Sequence, residues 1–494
     1  VLLEDHYELI DKKIISSIND KIISQNIKYD TVLSQIKQRE NTFWYYDYKN
    51  HYDCLVYASQ LMELVPKYTS KEYSTIESGV GDYSKTLFKV DQLYRKFIWS
   101  YRETNQNRVL NQLYLKIEKV YSNDWLLNIN NEWQRTIDKN NEWPTVGSSS
   151  QQSFFKTHIQ PFVNKNQKVF VVISDALRYE CAEELTTMIQ NENRYQANIE
   201  SMVGSLPSYT QLGMASILPR KDKLTLKEGS DLVLVDGTPA SGIDGRKKIL
   251  ELNSGCRATA IQAEKFMRMN SSTDGRTFAK SHDVIYIYSN LIDKIGDDKT
   301  SEDRVFEAVQ EELENLVDLI KKIAAVNGNS ILITSDHGFI YQHHDIDESD
   351  FSKSNYSGDV WKSNRRFVIG SSLETDETCK SFKGENIGLQ EGIHILIPKS
   401  INRLRVQGAG SRFVHGGATL QEITIPVIKI SKKREDTTRQ VEVDIIQTTD
   451  RITSNLLVVS FIQSEVISEV VQPRTIKAEL FAEDGTSLSD SFKY

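Results

Sequence analysis

The chain has 494 residues, of which 26% are charged and 39% hydrophobic, a balance typical of globular proteins, and its length predicts about three structural units. The net charge of −8 argues against a general nucleic-acid coat, although it is compatible with a local basic groove. No run of residues approaches the roughly 18 apolar residues of a membrane span, so no membrane partner is expected.

The start of the chain and its cysteines bear on the compartment in which the protein works. The first residues contain neither a basic region nor the apolar core of a secretory signal. Because residue 1 is valine and not methionine, we expect the chain to be a fragment or a processed product. The four cysteines are scattered without CxxC spacing, which argues against zinc fingers and disulfides and predicts a reducing, cytoplasmic location; they are Cys54, Cys181, Cys256 and Cys379.

Residues 1–150 are predicted to form a helical domain. Three long stretches have few glycines and prolines and carry apolar residues at three- and four-residue spacing: His6–Asn26, Tyr52–Tyr68 and Tyr83–Val120. Five of the six tryptophans lie in this region, where packing inside a helix bundle is favoured over a base-stacking surface. Residues 147–150, Gly-Ser-Ser-Ser, resemble a linker that ends the domain.

Residues 151–432 are predicted to form an α/β domain with a mainly parallel sheet and helices on both faces, because strand and helix patterns alternate. The predicted strands are Lys168–Ser174, Leu232–Val235, Val284–Tyr288, Ser330–Ser335, Arg366–Gly370, His394–Ile397 and Thr424–Ile430. The predicted helices are Ala182–Asn191, Gly245–Asn253 and Glu302–Val326. Residues 433–494 alternate polar and apolar side chains, which predicts a β-rich C-terminal module. We expect the chain to end inside this module.

Two of the predicted strands end in residues that can bind a metal. Asp336-His337-Gly338 follows one strand, and Asp175 follows another strand far upstream. Because parallel strands place their carboxyl ends at one edge of a sheet, we expect these side chains to share one site. Each signal has a structural alternative: Asp-His-Gly is also typical of a turn with glycine at a positive φ, and a lone aspartate after a strand often caps a helix.

Further carboxylate and imidazole side chains follow the same pattern. Asp293 and Asp297 come after the predicted strand Val284–Tyr288, and His415 comes just before the last strand of the domain. Carboxylates mixed with imidazoles suit Zn²⁺ or Mn²⁺, and the number of candidates is enough for two ions. The alternative for Asp297 is a solvated loop that includes Asp298.

The order of these motifs resembles the alkaline phosphatase superfamily, in which a strand-end Asp is followed by a Thr or Ser nucleophile, an Asp-x-x-Gly-His element, an Asp-His pair and a late His. The resemblance is to its PglZ-domain branch and spans roughly residues 160 to 430. Four motifs carry it: Asp175-Ala-Leu-Arg-Tyr-Glu180, Pro207-Ser-Tyr-Thr-Gln-Leu-Gly-Met214, Ser335-Asp-His-Gly-Phe339 and His415-Gly-Gly-Ala-Thr-Leu-Gln-Glu422. It implies an alkaline phosphatase-like fold and a place in a bacteriophage-exclusion (BREX) defence system.

The resemblance also implies roles for single residues. One ion would be held by Asp175, Asp336 and His337 together with the nucleophile, and a second by Asp293, Asp297 and His415. The ions would be divalent, one or two in number, with Zn²⁺ favoured. Asp297 stands where the superfamily usually has His, and the harder donor admits Mn²⁺ or Mg²⁺ there.

The resemblance favours Thr210 as the nucleophile. Ser205 and Ser208 remain alternatives, and Ser208 could instead cap a helix. The Thr-Gly pair that often follows in related chains is missing, because the sequence has Ala215-Ser-Ile217 instead. Arg178 could bind a phosphate oxygen through its guanidinium fork, or could form a salt bridge with Glu180 or a neighbouring carboxylate.

The strand-end residues predict a metal-dependent phosphoesterase with no cofactor besides the metal, and the resemblance implies a phosphodiesterase that acts on nucleotides or nucleic acid within a BREX complex. The expected partners are other BREX proteins, including the DNA methyltransferase. The first alternative is a non-catalytic structural or regulatory hub of the methyltransferase complex. A phosphomutase is a third possibility, which is disfavoured because no lid domain of obvious size lies between Pro219 and Asp283.

Overall fold

The computed structural model describes residues 7–68, 71–104, 107–147, 149–346, 351–352, 355–406, 410–433, 439–446, 457–468 and 471–493. The chain forms two compact units, one of Val1–Thr186 with Asn198–Ile430 and one of Thr187–Ala197 with Ser431–Tyr494. The helical region and most of the α/β sheet therefore lie within the first unit. The domain boundary near residue 150 stays a prediction.

The N-terminal part of the first unit is helical, as predicted from the apolar spacing. Its α-helices are α1 Glu8–Ile23, α2 Tyr29–Lys37, α3 Lys49–Leu64, α4 Ile76–Asp82, α5 Phe88–Arg102, α6 Asn111–Lys119 and α7 Asn128–Lys139. The predicted stretch Tyr83–Val120 is not one helix, because α5 ends at Arg102 and α6 begins only at Asn111. Trp125, Trp133 and Trp143 are buried, which supports a packing role for these tryptophans over base stacking.

The predicted linker at residues 147–150 is partly built into this unit. The Ser150 side chain accepts a hydrogen bond from the Gln152 amide at the start of a 3₁₀ turn, Gln151–Ser153, and Ser150 is buried. Ser148 lies outside the described residues. Segments beyond this turn lead directly into the α/β part.

The remaining α-helices alternate with strands, as the sequence pattern predicts. They are α8 Gln160–Asn164, α9 Tyr179–Asn191, α10 Thr210–Ser216, α11 Gly242–Asn253, α12 Ala263–Arg268, α13 Asp274–Ser281, α14 Leu291–Gly296, α15 Val305–Ala325 and α16 Leu420–Ile423. The strands up to the end of the α/β part are β1 Val169–Ser174, β2 Tyr195–Val203, β3 Thr225–Leu226, β4 Val233–Val235, β5 Thr238–Pro239, β6 Ala258–Gln262, β7 Val284–Ser289, β8 Ser330–Thr334, β9 Ile340–Tyr341, β10 Phe351–Ser352, β11 Tyr356–Ser363, β12 Val368–Thr375, β13 Cys379–Lys383, β14 His394–Pro398, β15 Arg403–Leu404, β16 Phe413–Val414 and β17 Thr424–Lys432.

The central sheet has six strands in the order β2-β17-β8-β1-β7-β6. Its neighbours β8, β1, β7 and β6 pair in parallel, and every residue of β1 is buried. The mainly parallel sheet confirms the predicted α/β fold. No described helix combines the length and the apolar character that crossing a bilayer requires.

Two strands of this sheet were missing from the prediction, and both lie at its edges. β2 has half of its side chains at the surface, and β6 ends in the exposed Gln262. Edge strands contact the core with one face and one neighbour only, so their sequences lack the continuous apolar run of a central strand. The predicted strands near residues 366 and 394 belong instead to a separate antiparallel sheet with the order β11-β12-β14-β13.

The second unit contains the predicted β-rich C-terminal part. Its strands are β18 Arg439–Gln440, β19 Val443–Ile446, β20 Ser460–Gln463, β21 Val471–Gln472, β22 Lys477–Ala478 and β23 Phe492–Lys493. They pair two by two, β18 with β21, β19 with β20 and β22 with β23. The boundary at residue 433 stays a prediction.

Candidate metal and phosphoryl-transfer site

Three adjacent strands bring the predicted ligands together. β1 lies between β8 and β7, and Asp175 follows β1 directly. Asp336 and His337 come after β8, and Asp293 lies in α14, which begins two residues after β7. Because these strands run in parallel, their carboxyl ends open into one crevice, which is where α/β sheets bind ligands.

Hydrogen bonds from the turn after β1 position Asp175 and Asp336 in this crevice. The Asp175 amide donates to the Ser289 carbonyl at 2.9 Å, and the Ala176 amide donates to Asp336 Oδ1 at 3.1 Å. Ala176 has a φ of +62°, a conformation that L-residues adopt rarely and that often marks a functional turn. The turn after β1 is therefore shaped to present its amide to the carboxylate that follows β8.

Gly338 was considered from sequence as part of a turn with a positive φ, but the structure requires glycine at this position for close packing. It does not adopt a positive φ; a Cβ at this position would lie 2.0 Å from the Gln421 carbonyl oxygen. The backbone after His337 can approach α16, which directly precedes β17, only because residue 338 has no side chain. This approach brings the Asp336-His337 segment close to the His415 loop.

The first ligand cluster consists of Asp175, Asp336 and His337, whose ligand atoms all lie within 4.8 Å of one another. His337 Nε2 is 3.5 Å from Asp175 Oδ1 and 3.5 Å from Asp336 Oδ2. The other ring nitrogen, Nδ1, is 2.9 Å from the Gly338 carbonyl oxygen, so it carries the proton and donates. That bond fixes the tautomer and leaves the Nε2 lone pair free for a metal.

The second cluster consists of Asp293, His337 and His415, again with ligand atoms within 4.8 Å of one another. His415 Nε2 is 3.7 Å from Asp293 Oδ1, and the rings of His337 and His415 stack with centroids 4.0 Å apart. Asp297 is not part of this triad, although its Oδ1 is 3.3 Å from His415 Nε2. With a side chain that is 58% exposed, Asp297 lies at the rim of the site.

Thr210 lies next to the ligand that the two clusters share. It is the first residue of α10, and its Oγ1 is 3.1 Å from His337 Nε2. Gly213, one turn later, lets α10 press against the ligand segment, because a Cβ there would lie 2.2 Å from the Asp336 carbonyl oxygen. The structure therefore brings the predicted nucleophile and the predicted ligands into one constellation.

The two alternative hydroxyls are turned away from the ligands. Ser205 Oγ is 2.7 Å from Ser216 Oγ, and Ser208 Oγ donates to the Gly417 carbonyl at 2.6 Å. Ser208 does not cap α10 either, because the N-cap is Tyr209 and no side-chain cap bond is present. Both serines hold the loop before α10 in place.

The structure places Arg178 in an ion pair, which was the alternative to phosphate binding, and the role of Arg178 in phosphate binding stays a prediction. Arg178 is fully buried and donates to Glu180, and its guanidinium lies over the Phe339 ring at 4.5 Å. Arg95 of α5 reaches the same carboxylate, and the two cations hold the pKa of Glu180 at about 2 despite burial, which acts in the opposite direction. The ion pair that sequence reasoning kept as the alternative is what the structure contains.

A buried ion pair holds the loop that carries His415. Arg366 donates to both carboxylate oxygens of Glu422, and Glu422 accepts a further bond from the Gly417 amide at 2.8 Å. A Cβ at Gly417 would lie 2.2 Å from the Arg366 guanidinium, so this glycine is needed for the close packing. Glu422 belongs to the His415 motif, but Arg366 is distant in sequence and carries no signal that could have identified it.

Two other supporting residues were missed by sequence reasoning. Gln151 donates to the Ser335 and Asp336 carbonyls at 3.2 and 2.6 Å, and its Oε1 accepts from the Ser205 amide at 2.9 Å. Glu312 of α15 accepts hydrogen bonds from the hydroxyls that end β1 and β7, those of Ser174 and Ser289. A charged residue on the apolar face of α15 was the one available sequence signal for Glu312.

Burial and mutual repulsion govern the pKa values of two carboxylates of the site. Burial, followed by the neighbouring charge of Asp336, raises the pKa of Asp175 well above its usual range. Burial raises the pKa of Asp293 to about 7. Burial also lowers the pKa of His337 to about 4, so this ring is neutral at pH 7 and can act as a ligand. His415 differs: its contact with Asp297 and the nearby carboxylates outweigh burial and raise its pKa to about 9.

The donor atoms fit divalent cations. Among the described residues, Asp175 Oδ1, Asp293 Oδ1, Asp336 Oδ2 and His415 Nδ1 are buried without a hydrogen-bond partner. Buried polar atoms without partners are costly, and three carboxylate oxygens that face one another repel. One or two divalent ions would satisfy the three carboxylate oxygens, and the oxygen and imidazole donors suit Zn²⁺ or Mn²⁺.

The sequence has clear relatives. The model of the BREX system PglZ alkaline phosphatase-like domain matches residues 154–430. The alkaline phosphatase-like protein PglZ of Bacillus cereus (strain H3081.97) is 34% identical over 502 residues, which cover 99% of this chain and 58% of the relative. The alkaline phosphatase-like protein BrxZ of Escherichia coli O9:H4 (strain HS) is 31% identical over 510 residues, which cover 96% of this chain and 58% of the relative. The chain thus spans less than two thirds of the length of both curated relatives.

Similar solved structures include murine ectonucleotide pyrophosphatase/phosphodiesterase 5, with a TM-score of 0.35, 12% identity, and coverage of 54% of this chain and 88% of that one. Phosphonoacetate hydrolase from Sinorhizobium meliloti 1021, in complex with phosphonoacetate, gives a TM-score of 0.33 at 10% identity and covers 53% of this chain and 90% of that one. TM-scores of this size do not establish a common fold. The domain match covers more than half of the chain, and the protein therefore belongs to the family of BREX PglZ alkaline phosphatase-like proteins.

Proposed function

We propose that the chain is a metal-dependent phosphodiesterase. One observation carries the proposal: the Thr210 hydroxyl lies 3.1 Å from Nε2 of His337, the residue common to two clusters of carboxylates and imidazoles, one buried and one partly exposed. A hydroxyl beside a pair of metal-binding clusters is the arrangement that phosphoryl transfer through a covalent intermediate requires. The ligands would be Asp175, Asp336 and His337 for one ion, and Asp293 and His415, with Asp297 at the rim, for the other.

Individual residues of the chain have distinct roles in such a reaction. Thr210 Oγ1 attacks the phosphorus atom of the diester, and one alcohol leaves on the opposite side and takes up a proton, which gives a covalent intermediate in which the phosphate joins Thr210 to the second alcohol. Water then hydrolyses this intermediate, releases the phosphate monoester and regenerates the Thr210 hydroxyl. Divalent ions held by the two clusters would favour the alkoxide form of Thr210 and stabilise negative charge on the phosphate. His337, kept neutral by burial and oriented by the Gly338 carbonyl, remains a donor of its Nε2 lone pair across the pH range of the reaction.

We further propose nucleotides or nucleic acid as the substrate and a place in a BREX complex, with the DNA methyltransferase as a partner. The family name and the names of the relatives support the BREX assignment. Zn²⁺ is the favoured ion, because imidazole and carboxylate donors are both present in each cluster. The half-exposed carboxylate of Asp297 makes Mn²⁺ or Mg²⁺ at the second position an alternative.

The test is the hydrolysis of bis-p-nitrophenyl phosphate by protein loaded with Zn²⁺ or Mn²⁺. Thr210→Ala should retain the metal and lose activity by several orders of magnitude, whereas Thr210→Ser should retain a fraction, because it keeps the hydroxyl. Thr273→Ala is a matched control, since it removes an exposed hydroxyl outside the site. Inactivation by Ser208→Ala with full activity in Thr210→Ala would show that the assignment of the nucleophile is wrong.

The same assay distinguishes the proposed enzyme from the alternative, a non-catalytic hub. A non-catalytic hub, in which the site is vestigial or regulatory, would not hydrolyse the diester with any divalent ion. A metal-loaded wild type without activity on diesters and monoesters would likewise contradict the proposal.

A further inference from the structure

Arg246 is a buried cation outside the motifs of the site. It lies in α11 and is 8% exposed, and its guanidinium carbon is 4.8 Å from the centre of the Tyr288 ring. Its Nε donates to the Ala240 carbonyl at 3.1 Å, which fixes the side chain at the start of the helix. The fork of terminal nitrogens is left to contact something else.

Within the described part of the chain, no carboxylate forms an ion pair with Arg246. Three buried arginines of the unit differ in this respect, since Arg95 and Arg178 share Glu180, and Arg366 pairs with Glu422. A guanidinium on a mostly buried side chain, with terminal nitrogens that have no carboxylate partner, is a favourable place for an anion. The missing partner of Arg246 therefore points to an anionic ligand.

The position of Tyr288 places Arg246 on the side of the sheet that carries Thr210. Tyr286 and Tyr288 are two residues apart in β7, so their side chains lie on the same face of the sheet. The Tyr286 hydroxyl donates to the Ile217 carbonyl, immediately after α10, whose first residue is Thr210. Tyr288 is closer than Tyr286 to the carboxyl end of the strand, where Ser289 accepts a bond from the Asp175 amide.

Tyr288 offers a second polar atom at the same place. Its hydroxyl is buried and has no hydrogen-bond partner among the described residues. The charge of Arg246 is also felt at Asp175, where it opposes the rise in pKa that burial and Asp336 cause. A guanidinium and a free hydroxyl thus lie beside the ligand clusters, on the side from which Thr210 approaches.

A charge balance gives the reason for a cation here. The carboxylates of Asp175, Asp293, Asp297 and Asp336 would neutralise two divalent ions, and a phosphate diester adds one more negative charge. An arginine fork binds phosphate oxygens in two places at once, and it keeps its proton at any pH of interest.

We propose that Arg246 binds a non-bridging oxygen of the substrate phosphate, with the Tyr288 hydroxyl as a neighbouring donor. This inference rests on the proposed phosphodiesterase function and names the residue that recognises the anionic part of its substrate. It assigns to Arg246, in a segment between the motifs, the role that sequence reasoning gave to Arg178.

The first test compares the hydrolysis of bis-p-nitrophenyl phosphate by metal-loaded variants. Arg246→Gln should lower kcat/KM by roughly 100-fold or more, the effect of removing a donor to developing negative charge. Arg246→Lys should lose less, because it keeps the charge and loses the fork, and it also serves if the Gln variant folds poorly. Tyr288→Phe, which keeps the ring under the guanidinium, should show the smallest loss.

Arg257→Gln is the matched control. Arg257 precedes β6, at the opposite end of the strands from the ligands, and its exposed side chain pairs with Asp283. It should leave kcat/KM unchanged. Equal kcat/KM values for the folded Arg246 variants and the Arg257 control would overturn the inference while leaving the proposed function intact.

The second test measures the affinity of the metal-loaded proteins for inorganic phosphate by titration calorimetry. Arg246→Gln should weaken phosphate binding by about tenfold or more at unchanged metal content, which corresponds to the loss of a charge-assisted contact. Phosphate binding by a wild type that does not hydrolyse the diester would contradict the proposed function, and the variants would still decide the role of Arg246. Unchanged phosphate affinity in Arg246→Gln, or no phosphate binding by the wild type, would refute the proposed role of Arg246.

Discussion

Gln151 is expected to be one of the most sensitive positions of the first unit, although it lies in none of the motifs. Its side chain is fully buried and connects three backbone groups: the carbonyls of Ser335 and Asp336 and the amide of Ser205. It thereby ties the segment that carries two metal ligands to the loop that leads to Thr210. Gln151→Leu keeps a similar volume and removes all three bonds.

The size of the effect follows from the number of groups left without a partner. A buried donor or acceptor that loses its partner costs roughly 1–3 kcal/mol. With two or three such groups, Gln151→Leu should lower the free energy of unfolding by roughly 3–6 kcal/mol, a large part of the typical total of about 5–15 kcal/mol. Gln151→Glu should be tolerated only while the new carboxyl is protonated and can donate to a carbonyl, so its stability should fall as pH rises above about 4.3.

Urea denaturation followed by tryptophan fluorescence measures the effect, with metal content determined on the same samples. Gln160→Leu is the control, because Gln160 makes one exposed bond, to Asn164. Substitutions of this kind usually change stability by less than about 0.5 kcal/mol. Equal denaturation midpoints for Gln151→Leu and Gln160→Leu would refute the view that Gln151 joins the ligand segment to the nucleophile loop.

Three further predictions concern the charged groups of the site. Asp297→Ala should remove the second ion and leave the first, whereas Asp297→His should shift the second position toward Zn²⁺; equal ion counts and equal metal preference in both variants and the wild type would exclude Asp297 from the site. Burial raises the pKa of Glu312 to about 7 from 4.5, so its carboxyl destabilises the fold progressively between these pH values. Glu312→Gln should therefore be more stable than the wild type at pH 8, by at most about 3 kcal/mol, and should lose this advantage below pH 4.5, as denaturation at several pH values would show. Metal uptake at pH 7 should release protons, because the pKa of His415 is about 9 and that of Asp293 about 7; calorimetry in two buffers with different ionisation enthalpies measures this, and heats that do not depend on the buffer would contradict it.

The sequence predicted the centre of the sheet well and its edges poorly. β1, β7 and β8 begin and end within one residue of the predicted strands, because each is a continuous apolar run buried on both faces. The edge strands β2 and β6 were missed: β2 has exposed side chains on one face, and β6 is a short strand of mostly small residues that ends in the exposed Gln262, so neither is a long apolar run. The predicted convergence of strand-end residues rested on those same central strands.

The supporting residues of the site could not be identified in this way. Gln151 bonds backbone groups that are more than 50 residues away, and a glutamine that bonds main-chain atoms leaves no pattern in the sequence. Arg178 and Arg246 also show that sequence motifs alone do not identify which arginine has a carboxylate partner. Arg178 lies inside a motif and Arg246 does not, and only the packing shows that the first is paired with Glu180 whereas the second has no carboxylate partner among the described residues.

Anomalous diffraction from crystals grown with Zn²⁺ is the most direct test of the central claim, that the strand-end carboxylates and imidazoles form a two-ion centre beside Thr210. We predict two peaks, one contacting Asp175, Asp336 and His337, and one contacting Asp293 and His415. The Thr210 hydroxyl should be a ligand of the first. Anomalous peaks confined to other parts of the surface, or none at all at saturating Zn²⁺, would contradict the claim.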